Sequence, residues 1–135
     1  MSKLASVLLV DDDTTTNFLN KLLLQTMGVS DQLLVAENGI EALRILHQTC
    51  SGEPAEVCPQ LILLDMNMPI MNGLAFLEAY TQQAAAHPQN TVIVMLTTSL
   101  HERDLARAQE LPIASILNKP LTREKVTAIL QEHFA

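Results

Sequence analysis

Aromatic side chains are nearly missing from this chain, which has no tryptophan, one tyrosine and three phenylalanines among 135 residues. Proteins that hold single-stranded nucleic acid stack bases on aromatic platforms, so that class is disfavoured. Positive charge is also scarce. Eight Lys and Arg stand against fifteen Asp and Glu, and the resulting net charge of −7 would repel a phosphate backbone. Direct DNA or RNA binding is therefore not expected. Long apolar runs are absent too: Val7 to Val10 is too short for a signal-peptide core and stops at Asp11. With no membrane span and no targeting signal, a cytoplasmic protein is expected. There are only two cysteines, Cys50 and Cys58, at a spacing that fits no zinc or redox motif. They are read as reduced thiols, with a disulfide across the intervening loop as the alternative.

What is present is an aliphatic chain. Hydrophobic residues make up 48% of it, enough for a core of Leu, Ile, Val, Ala and Met. The length suits one compact domain over residues 1–135 with no separate output domain. Five short apolar runs suit strands buried on both faces: Ala5 to Val10, Gln32 to Ala36, Gln60 to Leu64, Thr91 to Leu96 and Ala114 to Leu117. Helical spacing falls between and after them. It runs over Thr14 to Met27, with apolar Phe18, Leu19, Leu22, Leu23 and Met27, and over Ile40 to Thr49, with Ala42, Leu43, Ile45 and Leu46 inward. It continues over Gly73 to Gln83, Glu102 to Leu111 and Leu121 to Phe134. Asp13 or Thr14 can cap the first helix and Gly28 can end it, while Thr122 can cap the last. Cys50 to Pro59 reads as the loose loop of the chain. Five strand–helix repeats with non-alternating strands predict an α/β domain, a parallel sheet covered on both faces.

The polar residues that stand out follow the strands. Asp11-Asp12-Asp13, Asp65, Thr97-Thr98 and Lys119 lie at the carboxyl ends of the first, third, fourth and fifth runs. Ligand sites of open parallel sheets lie along that edge, at a topological switch point. Taken singly, each has an ordinary explanation as a helix cap, a turn residue, a solvated strand end or a surface lysine. Three consecutive aspartates exceed what a cap needs. Like charges a few ångströms apart cost on the order of 1–4 kcal/mol, which a cation relieves. Asp11, Asp12 and Asp65 offer hard oxygens suited to Mg²⁺. A carboxylate beside such a cation can attack phosphorus and form an acyl phosphate. Lys119 would supply further positive charge and Thr97 a hydroxyl donor. Pro120 makes a cis Lys119–Pro120 peptide a candidate.

The segments Val10-Asp11-Asp12-Asp13, Asp65-Met66-Asn67-Met68-Pro69-Ile70-Met71-Asn72-Gly73, Thr97-Thr98-Ser99 and Asn118-Lys119-Pro120 together resemble the response-regulator receiver domain of two-component signalling. The resemblance spans essentially the whole chain. It implies a flavodoxin-like, doubly wound five-stranded parallel sheet of order 2-1-3-4-5 with five helices. It also implies a phosphoryl group accepted on Asp65 from a histidine kinase or histidine phosphotransfer protein. Mg²⁺ would be held directly by Asp12, through water by Asp11, and by Asp65 and the main-chain carbonyl of Asn67. Thr97 would be the switch hydroxyl, with the small Thr98 admitting the phosphoryl group, and Lys119 its positive partner. Output would pass to another protein through the face of the fourth and fifth expected helices, Leu100 to Leu111 and Leu121 to Phe134, with dimerisation on phosphorylation left open. One position departs from the family: Ile116 stands where Tyr or Phe is frequent, which implies a smaller or differently routed response.

Other readings fit less well. A phosphatase of the haloacid dehalogenase type needs a second aspartate as general acid two residues after the first, and Asn67 stands there. A phosphorylation-independent adaptor would not need the full residue set. A flavodoxin-like cofactor carrier needs a phosphate-cradling loop after the first strand, where the aspartates would repel phosphate.

Overall fold

The computed structural model describes residues 3–50, 58–66, 68, 71–84, 91–98, 106 and 113–134. Its elements are β1 (Val7–Val10), α1 (Thr14–Met27), β2 (Leu33–Ala36), α2 (Gly39–Cys50), β3 (Leu61–Asp65), α3 (Gly73–Ala84), β4 (Val92–Thr97), β5 (Ser115–Asn118) and α4 (Arg123–Phe134). The strands form one parallel sheet of order β2-β1-β3-β4-β5. Five helices were expected and four stand among the described residues. The expected helix from Glu102 to Leu111 lies outside them except at Ala106, which is helical.

The apolar strand runs carry no alternation because both faces of the sheet are covered. Leu8, Val10, Ile62, Leu64, Ile93 and Met95 pack on one side with Ala42 and Leu46 of α2 and Phe76 and Leu77 of α3. Val7, Leu9, Leu61, Leu63, Val94 and Leu96 pack on the other with Leu24 of α1 and Val126, Ile129 and Leu130 of α4. A one-residue slip of any central strand would exchange the two sets, so packing fixes the register. That register carries β3, β4 and β5 one residue further than the apolar runs do, so Asp65, Thr97 and Asn118 are the last strand residues rather than the first loop residues.

Helix α1 begins and ends where its capping residues dictate. The Asp13 side chain accepts from the N–H of Thr15 and from the Thr16 hydroxyl. Those two bonds, the hydroxyl's foremost, hold its carboxyl below the usual 3.8. Gly28 closes the helix at φ +67°, a left-handed conformation open to glycine at little cost. The apolar residues at helical spacing in α1 do not all face the sheet: Leu23 and Met27 pack against the core. Asn17, Asn20 and Leu24 are buried, whereas Phe18 is 64%, Leu19 55% and Leu22 49% exposed. Apolar spacing marks a helix but does not say which residues share its sheet-facing side once polar ones have main-chain partners there.

The cysteines correct the expectation of free thiols: Cys50 and Cys58 are joined in a disulfide. Helix α2 runs through to Cys50, and the chain returns to the head of β3 with the two Cα atoms 4.6 Å apart. The return of the helix end to the next strand creates this proximity, and a spacing motif does not encode it. Cross-linking a loop of this length stabilises a fold by about 2–3 kcal/mol through the unfolded chain. Reduction, or the Cys50→Ser/Cys58→Ser pair, should lower the urea-unfolding free energy by about that amount while the far-UV dichroism of the native state is unchanged.

Candidate functional site

The carboxyl ends of β1, β3, β4 and β5 meet along one edge of the sheet. Asp11 follows β1 and extends its pairing, donating its N–H to the carbonyl of Ala36 at 3.1 Å. Its other polar atoms are also engaged. Oδ1 accepts from the N–H of Asp13 at 2.9 Å, the main-chain oxygen from Asn17 Nδ2 at 2.8 Å, and Oδ2 from Lys119 Nζ at 2.8 Å. Asp65 ends β3 opposite Leu96. It is 4% exposed, and its Oδ1 lies 3.1 Å from Lys119 Nζ. Lys119 thus bridges two buried carboxylates. Asp12 is exposed, yet its carboxylate reaches the same place: one oxygen from each of Asp11, Asp12 and Asp65 lies within 4.8 Å of the others.

Thr97 ends β4, fully buried and opposite Asn118. Its carbonyl accepts the N–H of Lys119 at 2.8 Å, which ties the two residues together. The Lys119–Pro120 peptide is cis, as the sequence suggested. Asn67 lies outside the described residues. Two residues that sequence reasoning passed over hold the loops in place. Asn17 grips the Asp11 carbonyl. Lys125 Nζ donates to the carbonyls of Asn118 and Pro120, at 2.6 and 2.9 Å, on either side of Lys119. The available signals were an Asn on the inward side of α1 and a Lys in the first turn of α4, where the helix dipole disfavours it unless it has acceptors.

The donor set suits Mg²⁺. Three carboxylates and one ammonium leave two negative charges, the charge one such ion neutralises. Carboxylate oxygens bind Mg²⁺ at about 2.0–2.1 Å, with opposite ligands about 4.2 Å apart. The observed spread of 4.8 Å needs only a small side-chain adjustment to match.

The sequence matches the family model of the response regulator receiver domain over residues 7–131. The two-component response regulator ARR22 of Arabidopsis thaliana is 31% identical over 133 residues, covering 98% of this chain and 85% of that protein. A probable chemotaxis protein CheY of Rhizobium etli is 29% identical over 128 residues, covering 95% and 91%. Among solved structures, a two-component response regulator from Cytophaga hutchinsonii matches with a TM-score of 0.85 at 26% identity, covering 97% of each chain.

Two predictions follow from the packing and charge of this edge. Gly73 donates to the carbonyl of Met66, and a Cβ on it would lie 2.8 Å from the main-chain oxygen of Asp65. Gly73→Ala should therefore push the end of β3 and cost about 1–3 kcal/mol in chemical denaturation. Burial works against the charge of Lys119. The Asp11 hydrogen bond, with the charges of Asp11 and Asp65, outweighs it and raises the lysine above its usual 10.5. A raised lysine contributes stability that is fully present below the usual value and lost as pH climbs through the raised one. Lys119→Met should lower stability by about 3 kcal/mol near neutral pH by leaving the buried carboxylates without their cation. It should also lack the wild type's loss of stability above about pH 10, and Mg²⁺ should recover part of the neutral deficit.

Proposed function

This chain belongs to the response regulator receiver domain family, and on that premise we propose that it is a phosphorylation-controlled switch whose acceptor is Asp65. The observation that carries this reading is the buried Asp65 carboxylate, which shares Lys119 with Asp11 and a 4.8 Å cluster with Asp11 and Asp12. The donor is a histidine kinase or a histidine phosphotransfer protein. An Asp65 oxygen attacks phosphorus as the bond from phosphorus to the donor's imidazole nitrogen breaks. The electron pair leaves with the imidazole, which takes up a proton. Asp11, Asp12 and Asp65 would hold Mg²⁺, with the main-chain carbonyl of Asn67 as a further ligand. The ion, when bound, supplies positive charge against the phosphoryl oxygens. Lys119 contributes the second positive charge and Thr97 the hydroxyl that hydrogen-bonds the transferred group.

Asp65 is thus a stoichiometric acceptor. The chain turns over no external substrate beyond taking a phosphoryl group from small donors and losing it again. Its output is protein–protein association, which we assign to residues 121–134 together with residues 100–111, of which only Ala106 is among the described residues, and without direct nucleic-acid contact. A cytoplasmic role is assigned from the likeness to the probable chemotaxis protein CheY of Rhizobium etli; no helix among the described residues is long and apolar enough to cross a membrane. Ile116, half-buried beside Met95 against the α2–α3 side of the core, makes the response smaller than an aromatic ring would give, or routes it differently.

Incubation with acetyl phosphate and Mg²⁺ should add one phosphoryl mass to the intact chain. Asp65→Asn or a chelator should abolish the gain. A wild-type chain that gains no mass while folded and supplied with Mg²⁺ would sink this reading, and sustained hydrolysis of many phosphate esters would replace it with that of a phosphatase.

A further inference from the structure

Asn17 occupies an odd place for its side chain. Asn favours caps and turns over helix interiors, yet here it sits within the first turn of α1 and is 4% exposed. Its Oδ1 is buried with no hydrogen-bond partner among the described residues, an arrangement that costs folding stability. An apolar side chain of similar size would carry no such cost. What it could not do is donate to the main chain of Asp11.

The bonds of Asn17 surround the metal cluster's exposed member. Its Nδ2 donates to the Asp11 carbonyl at 2.8 Å, and its own N–H donates to the Asp13 carbonyl at 3.1 Å. The second is the ordinary main-chain bond of the helix to its N-cap carbonyl, which any non-proline residue would make; only the first needs the amide. Asp12 is exposed, so its direction is set by the main chain that carries it rather than by packing. The carbonyl of Asp11 fixes the plane of the Asp11–Asp12 peptide, and that plane aims the Asp12 side chain toward Asp11 and Asp65. Groups that orient ligands from outside the coordination sphere influence metal affinity strongly.

We propose that Asn17 is a positioning residue for the divalent cation: its side-chain amide presets the Asp11–Asp12 peptide so that the carboxylates of Asp11, Asp12 and Asp65 converge before the metal arrives. The inference rests on the phosphorylation-switch reading of the same cluster. It adds a residue that touches neither metal nor phosphoryl group.

The test compares wild type with Asn17→Ala and Asn17→Leu, one leaving space and one filling it, and both lacking the donor. Isothermal titration with Mg²⁺ alone reads metal affinity without any phosphodonor. Melting midpoints in chelator read stability. Rates of acetyl phosphate labelling across Mg²⁺ concentrations separate metal binding from the maximal rate. Both variants should bind Mg²⁺ about tenfold or more weakly, and their labelling rates should approach the wild-type maximum once Mg²⁺ saturates. Either variant, folded and binding Mg²⁺ as tightly as wild type, overturns the proposal even if its midpoint has dropped. Unfolding of both variants in saturating Mg²⁺ overturns it as well, because the role is then structural. Failure of the switch reading looks different: wild type itself then binds no Mg²⁺ or takes no phosphoryl group.

Discussion

The ammonium of Lys119, 2.8 Å from Asp11 and 3.1 Å from Asp65, is the interaction on which the carboxyl edge of the sheet depends. A doubly wound parallel sheet brings strand ends together, and here two of those ends carry buried carboxylates. Without a cation, two buried negative charges would be left uncompensated at this edge, a costly arrangement. Lys119 follows β5, an edge strand that neighbours neither β1 nor β3, so its two ion pairs also tie that edge to the carboxyl ends of β1 and β3. The lysine is held in turn by main-chain bonds: its N–H to Thr97, and the neighbouring carbonyls of Asn118 and Pro120 to Lys125. The position of one charge thus rests on three elements, β4, β5 and α4.

Most of this was legible because the fold converts a one-dimensional pattern into a three-dimensional edge. Each apolar run is a strand buried on both faces, and whatever follows it must lie at the carboxyl end. Asp11, Asp65, Thr97 and Lys119 could therefore be assigned to one crevice from the order of the runs alone. The strand order came from resemblance, since alternation by itself says only that the sheet is parallel. Strand ends were read one residue short at Asp65, Thr97 and Asn118 because pairing depends on a neighbour's carbonyl, such as Leu96 accepting from Met66. Hydropathy stops at the last apolar side chain, whereas the ladder does not.

The misreadings share one physical origin. Cys50 and Cys58 were taken as free because their spacing matched no motif, but what joins them is the return of α2 to the head of β3. Of the apolar residues at helical spacing in α1, Leu23 and Met27 pack against the core while Phe18, Leu19 and Leu22 are exposed, and Asn17 and Asn20 are buried in their place. In both cases a local pattern was weighed without the partner that tertiary structure supplies. Asn17 meets a carbonyl six residues earlier in the chain, a partner that its own helical stretch does not name.

The same contrast separates the parts of the site that chemistry names from the parts that geometry requires. Carboxylates, a hydroxyl and an ammonium can be recognised from residue type, because the reaction proposed for them needs those groups and no others. Residues that aim them have no required chemistry beyond a donor at the right distance, so an amide in Asn17 and an ammonium in Lys125 do equivalent work on two different loops. Both act on carbonyls beside the residue being aimed: the Asn17 amide on that of Asp11 before Asp12, with the Asp13 carbonyl held by the helix's own main-chain bond, and the Lys125 ammonium on those of Asn118 and Pro120 around Lys119. Gripping the main chain on both sides fixes a side chain's origin and direction while leaving its own polar atoms available. That matters where those atoms must exchange partners, as carboxylates would in passing from a lysine to a metal ion.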